Sequence, residues 1–230
     1  MIFMKVPFPI IAVFILLGFQ LAAQTTGGTV DQFQGASALQ NYRIGRDMEA
    51  GNRMAEAETY YNEAVRICQS EVSRNTATSE TYAVITWALR RQNKYADVII
   101  WGEWGLSIYP DEFRIVETMG EAYFYLGDYN RSLAFMQRYT NAAPQGERAS
   151  VGYFFIGEIY RLTGRYRHAD IAYTTAVRLE PGSALWWYRL ATVRNSAGDR
   201  EPAIEAYQQA LRLNPNYREA REGLALIQAQ

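Results

Sequence analysis

The feature that most constrains this chain is a 34-residue period in its second half. The residues that recur at this distance are Gly164 and Gly198, Ala169 and Ala203, Tyr173 and Tyr207, and Pro181 and Pro215. A fixed period of this length is typical of stacked supersecondary units, none of which can bury its apolar face alone. The sequence therefore predicts a repeat array.

Counted back from the closing prolines, the same period divides most of the chain into five units. These are residues 38–71, 79–112, 113–146, 150–183 and 184–217. Two short insertions, 72–78 and 147–149, separate some of them. Within a unit, positions 4, 7, 8 and 11 have the spacing i, i+3, i+4 and i+7, which forms one stripe along a helix.

Two positions of the unit predict how its helices pack. Position 8 is small in every unit: Gly45, Thr86, Gly120, Gly157 and Ala191. Position 24 is large in four of the five: Tyr61, Met136, Tyr173 and Tyr207. A small residue at position 8 allows the second helix to approach closely, and we expect the large side chain at position 24 to fill the space between the helices.

Residues that end and begin helices fall between the two predicted helices of each unit. They are Gly127-Asp128, Thr163-Gly164 and Gly198-Asp199. Glycine is suited to a helix C-terminus and aspartate to an N-cap, so we expect these residues to have those roles. Beyond the last unit, residues 216–229 predict one more amphipathic helix, with Ala220, Leu224 and Ile227 facing inward.

Together these residues resemble the tetratricopeptide repeat, whose pattern is W-x2-L-G-x2-Y, then A-x3-F, then a closing proline. The resemblance covers about four-fifths of the chain, residues 38–217. It implies an all-α fold: a right-handed α-solenoid of five helix-turn-helix hairpins, with a capping helix at 218–230. It also implies that the chain binds other proteins in a concave groove.

The N-terminus has a different character. Residues 6–23 are almost entirely apolar, follow Lys5 and end in Leu21-Ala22-Ala23. This pattern predicts a signal peptide over residues 1–23, cut after Ala23, and therefore an exported protein in the periplasm or another extracytoplasmic compartment. The alternative is an uncleaved membrane anchor. Residues 24–37 are rich in Thr, Gly and Gln and predict a flexible linker.

Composition excludes several classes of function. The formal charge of −1 argues against binding nucleic acid, which needs a basic stripe. Cys68 is the single cysteine, which we expect to be a buried thiol, and His168 is the single histidine, which we expect at the surface. A Cys–His pair or a metal-ligand set is therefore not available, and we expect no catalysis and no cofactor.

The resemblance also implies which residues face the groove, because positions 2, 5, 6, 9, 12 and 13 of each first helix lie opposite the core stripe. Aromatic rings beside arginine are typical of binding hot spots. The candidate partner-binding residues are Tyr42, Arg46, Trp87, Arg90, Arg91, Glu117, Glu121, Phe124, Phe154, Glu158, Arg161 and Tyr188. The same helix positions also carry Arg43, Tyr125, Phe155 and Arg189. The family's carboxylate clamp is absent, because these helices carry no lysine and position 9 is never asparagine.

Two functions follow from this groove. The first is to bind a peptide or helical segment of an unidentified envelope or periplasmic protein. The second is to act as a carrier or accessory protein that holds a small apolar ligand for envelope transport or assembly. An open groove with alternating Arg and Glu favours the first, whereas a closed pocket with few charges would favour the second.

The second unit departs from the pattern. It carries Trp101-Gly102-Glu103-Trp104-Gly105 where tyrosine and alanine normally stand at positions 24 and 27. Two glycines inside a helix cost about 1 kcal/mol each relative to alanine. We expect either that they let another backbone approach or that the helix bends. The tryptophan pair serves either packing or a second contact on the convex side.

Overall fold

The computed structural model describes residues 35–229, in which the part from Ser37 onward forms one compact unit. The predicted signal peptide and the linker up to residue 34 lie outside the described residues. Eleven α-helices and no strand occur in the described part. They are α1 Ala38–Ala50, α2 Met54–Ser73, α3 Ser79–Arg91, α4 Tyr95–Ile108, α5 Phe113–Tyr125, α6 Tyr129–Ala142, α7 Ala149–Leu162, α8 Tyr166–Leu179, α9 Ala184–Ser196, α10 Arg200–Leu213 and α11 Arg218–Gln228.

These helices form five antiparallel hairpins and a final helix. The pairs are α1 with α2, α3 with α4, α5 with α6, α7 with α8 and α9 with α10, and each pair stacks on the next. The last helix, α11, packs against α9 and α10. The predicted all-α solenoid of five hairpins with a capping helix is therefore confirmed. None of the helices in residues 35–229 has the length and apolar character to cross a membrane.

The small residue at position 8 sets the spacing between the helices of a hairpin. A methyl group added to Gly157 would lie 2.6 Å from Cδ1 of Tyr173, and one on Gly45 would lie 2.6 Å from Cε1 of Tyr61. Both distances are far inside van der Waals contact. The position-24 ring therefore rests directly on the glycine backbone, as the sequence predicts.

Repeat two lacks the large side chain at position 24, and its two glycines instead admit side chains of neighbouring helices. A methyl group on Gly102 would lie 2.6 Å from Cγ of Met119, and one on Gly105 would lie 2.8 Å from Cδ1 of Ile115 and from Cβ of Tyr82. Helix α4 is continuous through both glycines. They admit the side chains of α3 and α5, rather than a neighbouring backbone.

Each turn between the helices of a hairpin has one residue in the left-handed region. Gly127, Gly164 and Gly198 have φ values of 80°, 72° and 85°. At Gly127 the chain makes both bonds of a Schellman motif: its N–H donates to the Phe124 carbonyl at 3.0 Å and the next N–H donates to the Tyr123 carbonyl at 2.9 Å.

Asparagine has this role in the first two hairpins. Asn52 and Asn93 stand at the same repeat position as the three glycines, and their φ values are 59° and 58°. Both make the same pair of backbone bonds. Asparagine is among the few residues that tolerate this conformation, so a search for glycine alone misses these two turns.

The two aspartates predicted as N-caps behave differently. Asp128 caps α6, since its carboxylate accepts a bond from the backbone N–H of Arg131 at 3.0 Å. Asp199 stands at the N-cap of α10 as predicted, but its side chain makes no capping bond. Its carboxylate accepts instead from Nη1 of Arg167 at 3.3 Å, so an arginine of the preceding repeat competes with the helix N-terminus.

The capping helix and the cysteine lie where the sequence predicts. Ala220 and Ile227 are buried and Leu224 packs against the same core, so α11 covers the end of the last hairpin. Cys68 is fully buried in α2, and burial raises the pKa of its thiol well above the ordinary range. A thiol with this environment behaves as a small apolar side chain.

The packing at Gly157 gives the first testable prediction. Replacing Gly157 with Leu forces the side chain into the Tyr173 ring, and we expect the free energy of unfolding to fall by about 1–3 kcal/mol. Gly182→Leu is the matched control, because a Cβ at Gly182 meets nothing within 4 Å. Urea unfolding followed by circular dichroism measures both. Equal losses in the two variants would contradict the close approach at Gly157.

Candidate partner-binding groove

The residues that define the candidate site come from the first helix of each hairpin: α1, α3, α5, α7 and α9. Their positions 2, 5, 6, 9, 12 and 13 lie on the side opposite the core stripe, because a helix repeats every 3.6 residues. We call this surface the groove face. The structure shows that most of its charged groups bind one another.

Two carboxylates of α5 lie at the centre of the groove face. Glu117 and Glu121 are one turn apart and only 3% and 2% exposed. Arg148, just before α7, donates from Nε to Glu117 at 2.8 Å and from Nη2 to Glu121 at 2.5 Å. Arg90 of α3 donates to the other oxygen of Glu121 at 2.8 Å. This Glu117–Glu121 cluster thus ties three successive hairpins together.

The two acids do not titrate alike. Burial, together with the neighbouring Glu121 carboxylate, raises the pKa of Glu117 to about 8. Burial acts in the same direction on Glu121, but bonds from Glu117, Arg90 and Arg148 outweigh it and lower the pKa of Glu121. The raised pKa favours the protonated form of Glu117, and the lowered pKa favours the ionised form of Glu121 between two guanidinium groups.

This difference predicts that two conservative variants lose unequal amounts of the free energy of unfolding. Glu121→Gln leaves two guanidinium groups without their shared carboxylate, and we expect a loss of about 3–5 kcal/mol in the free energy of unfolding. Glu117→Gln preserves a neutral hydrogen-bonding group, and we expect a loss of about 1 kcal/mol. Urea unfolding at neutral pH measures both. Equal costs would show that the two acids are interchangeable.

The pH dependence follows from the same cluster. The folded state holds a proton on Glu117 that the unfolded state, with the ordinary carboxyl pKa of 4.5, has already released. The protonated Glu117 contributes its whole share of the free energy of unfolding below the ordinary pKa of 4.5. This share is lost as pH rises through about 8. The wild type should therefore lose more stability than Glu117→Gln between about pH 5 and about pH 8.

A third carboxylate, Glu158 of α7, lies between two arginines. Nη2 of Arg161 donates to Glu158 at 2.7 Å, and the Tyr173 hydroxyl donates to the same carboxylate. Nε of Arg189 is 3.0 Å from Glu158, but the alignment is poor and this buried nitrogen has no hydrogen bond of good geometry. One carboxylate thus serves two guanidinium groups, which leaves a local excess of positive charge.

An open cavity of about 220 Å³ adjoins these arginines. The residues that line it are Arg161, Tyr166, Tyr188, Arg189, Thr192, Val193 and Ser196. Hydroxyl and guanidinium groups dominate this lining. The cavity has the size and the charge to accept a carboxylate side chain.

The opposite end of the groove face also carries excess positive charge. Arg43 and Arg46 of α1 are exposed, and the exposed Asp47 follows them on the same helix without an ion pair to either within residues 35–229. The nearby carboxylate of Glu49 already accepts from Nη1 of Arg91 at 3.3 Å and from the Tyr61 hydroxyl at 2.6 Å. Arginines that lack a full complement of acids therefore mark both ends of the groove face.

The aromatic candidates contribute mostly to the scaffold. Tyr42 is only 6% exposed and lies 5.4 Å from the ring of Trp87, so it belongs to the core. Trp87 is half-buried, and the Arg114 guanidinium lies 5.6 Å from its ring centroid. Phe124 packs on Phe155 at 5.0 Å. Truncating these rings would remove core contacts as well as groove surface.

The other two aromatic candidates are also half-buried. Phe154 stacks on Trp186 with ring centroids 5.2 Å apart, and Tyr188 packs against Tyr217 at 5.1 Å. The exposed apolar surface of the groove face comes from position 13 instead. Tyr125 is 53% exposed and stacks on Tyr95 at 4.7 Å.

Two residues of the site escaped the sequence analysis. Leu162, at the same repeat position as Tyr125, is 45% exposed. Comparing repeats position by position would have found it. Arg148 lies in the insertion between repeats, outside the register, so no periodic signal points to it.

The comparisons with known proteins agree with this architecture. Tetratricopeptide repeat models match residues 152–183 and 184–217. The chain therefore contains tetratricopeptide repeats over residues 152–217. At the level of sequence, no curated protein matches it.

Solved structures with the same fold cover most of the solenoid. The thermophilic tetratricopeptide protein TTC0263 of Thermus thermophilus is 18% identical, with a TM-score of 0.62 over 84% of this chain and 100% of its own. A MamA protein is 20% identical, with a TM-score of 0.60 over 66% and 81%. MamA 41-end from Desulfovibrio magneticus RS-1 is 18% identical, with a TM-score of 0.58 over 80% and 98%. Identities this low establish the fold alone.

The fold also indicates a general function. Tetratricopeptide repeats are scaffolds for protein–protein interaction, generally without catalysis, and their stacking creates extended concave binding surfaces. His168 is exposed and its ring lies 5.2 Å from that of Tyr160. In the described part of the chain, no three His, Cys, Asp or Glu side chains are grouped to hold a metal ion.

Proposed function

We propose that the chain is an exported, non-catalytic scaffold whose groove face binds a peptide or helical segment of an envelope protein. Acidic groups on that segment pair with the arginines at the two ends of the groove face. The observation that carries this proposal is the shared carboxylate of Glu158, which leaves Arg161 and Arg189 incompletely paired beside an open cavity. Arg43 and Arg46 supply the second positive end.

Apolar contacts complete the proposed binding surface. Tyr125 and Leu162 come from adjacent hairpins and are 53% and 45% exposed within residues 35–229. Burying a large apolar side chain contributes about 1.5–3 kcal/mol. Charge pairs at the ends of the groove would mainly set the orientation of the bound segment and the rate of encounter.

The alternative, a carrier for a small apolar ligand, fits this surface less well. Such ligands occupy enclosed, mostly apolar pockets. The cavity beside Glu158 is open to solvent, and arginine, tyrosine, threonine and serine side chains line it. A polar cavity that opens onto a groove favours a segment of a larger partner.

Photo-crosslinking in the native host tests this proposal. p-Benzoylphenylalanine in place of Tyr125 should capture a defined envelope protein, whereas the same group in place of Gln208, which is exposed on α10, should not. Capture should fall at least about fivefold when Arg43→Gln and Arg46→Gln are combined.

A matched pair of substitutions controls for the loss of two charges. Arg178→Gln combined with Arg200→Gln removes two exposed arginines from the second helices α8 and α10. This control should leave capture unchanged. Equal capture by both double variants, or equal labelling from Gln208 and Tyr125, would contradict binding at the groove face.

The export part of the proposal rests on the sequence of residues 1–23. Mass spectrometry of protein from the native host should find a chain that begins at Gln24. Ala23→Phe replaces the small residue before the cleavage site and should leave the chain unprocessed. A full-length wild-type chain in the soluble cytoplasmic fraction would contradict export, and a full-length chain in the membrane would indicate the uncleaved anchor.

A further inference from the structure

The groove face has a gap between α7 and α9. Along the groove, α1 contacts α3, α3 contacts α5 and α5 contacts α7, but α7 and α9 approach each other less closely than these pairs do. Phe154 stacks on Trp186 between the N-terminal halves of α7 and α9, with ring centroids 5.2 Å apart. The cavity of about 220 Å³ lies beyond this ring pair and reaches from Arg161, near the end of α7, to Ser196 at the end of α9. We call it the α7–α9 cavity.

The ion pairs beside the α7–α9 cavity leave one positive charge in excess. Arg161 and Arg189 both line the cavity, and in the described part of the chain Glu158 is the one acid that pairs with either of them. Arg161 uses this carboxylate well, since Nε donates to it at 3.3 Å and Nη2 at 2.7 Å. Arg189 does not, because its Nε is buried beside Glu158 without a hydrogen bond.

We propose that the α7–α9 cavity accepts one carboxylate of the bound segment and that Arg189 is the residue that binds it. This inference rests on the proposed function and names the chemistry of one subsite. A singly charged carboxylate neutralises the excess charge and gives Arg189 the acceptor that Glu158 does not provide. The planar guanidinium can also form two parallel bonds to a carboxylate. A doubly charged phosphoryl group would instead leave a negative charge close to the buried Glu158.

The walls of the α7–α9 cavity suit a group of side-chain size. The Tyr166 and Tyr188 side chains line it, and neither hydroxyl forms a hydrogen bond within residues 35–229. The Thr192 and Ser196 hydroxyls donate to backbone carbonyls of α9. Pockets that enclose whole small molecules measure about 300–1,000 Å³, which is more than this cavity provides. An Asp or Glu side chain and the C-terminal carboxylate of a peptide share the required chemistry.

Peptide selection on the purified full chain tests this subsite. One random dodecapeptide library is joined to a phage coat protein through its C-terminus, and a second library ends in a free carboxylate, so the two distinguish side-chain from terminal carboxylates. Selected peptides should contain one carboxylate whose replacement by its amide weakens binding at least about tenfold. If neither library provides such a peptide, the proposal is overturned.

A double-mutant cycle assigns the carboxylate to Arg189. In Arg189→Gln, the amide replacement should weaken peptide binding less than about threefold, because the guanidinium that binds the carboxylate is gone. The matched control Arg178→Gln removes an exposed arginine of α8 and should keep the whole tenfold effect. A whole tenfold effect in Arg189→Gln would place the carboxylate elsewhere and overturn the proposal.

The stability of Arg189→Gln separates a binding role from a structural one. We expect its urea unfolding midpoint to equal that of the wild type, because the buried Nε of Arg189 has no hydrogen bond to lose. A lower midpoint would show that the fold itself needs Arg189 and would overturn its assignment to the partner.

Competition between small anions tests the charge of the bound group. At equal ionic strength, inorganic phosphate should displace the selected peptide no better than acetate does. Stronger displacement by phosphate would assign the α7–α9 cavity to a doubly charged group and overturn the proposal.

The subsite and the proposed function can fail separately. If Tyr125 crosslinks a partner equally well in the wild type and in Arg189→Gln, binding at the groove face stands and the subsite is overturned. If Tyr125 captures nothing in the native host while the peptide cycle gives the expected coupling, the proposed function is contradicted and the carboxylate subsite stands.

Discussion

The solenoid depends on the contact between the small residue at repeat position 8 and the large side chain at position 24. The Tyr61 and Tyr173 rings rest on the backbones of Gly45 and Gly157 with no room for a methyl group. This contact fixes the separation of the two helices in a hairpin, and the hairpin can then bury its remaining apolar face only against its neighbours. Repeat two lacks this contact: position 24 is Gly102, and the side chain closest to it is Met119 on α5 of the next hairpin.

The groove face owes its binding properties to how its charges are paired. Glu117 and Glu121 are buried between Arg90 and Arg148, so the centre of the face is a structural cluster rather than a docking surface. At the two ends of the groove face, by contrast, there are more arginines than carboxylates to pair with them. The frequent arginine of this chain therefore has at least two roles, since some guanidinium groups join adjacent hairpins and others remain available to a partner.

Periodicity explains why the fold could be predicted and the site only in part. The core positions repeat every 34 residues, so each confirms the others, and even the inward face of α11 follows from its spacing. The site depends on contacts between repeats, such as Arg148 with Glu117, and these have no period. Burial also depends on neighbouring helices, which is why the repeat register places Tyr42 in the groove although it packs in the core. The turn at Asn93 shows a third limit of the sequence-based prediction. Asparagine and glycine both adopt the left-handed backbone that this turn needs, so a search for glycine does not find it.

A double-mutant cycle at Gly45 and Tyr61 tests the central contact most directly. Gly45→Ala should lower the free energy of unfolding in the wild type, because the new methyl group meets Cε1 of Tyr61 at 2.6 Å. In a Tyr61→Val background, which lacks Cδ1, Cε1 and Cζ, the same substitution should be neutral or stabilising by up to about 1 kcal/mol, the helix propensity of alanine over glycine. Urea unfolding of the four proteins gives the coupling energy. An equal cost of Gly45→Ala in both backgrounds would contradict the account.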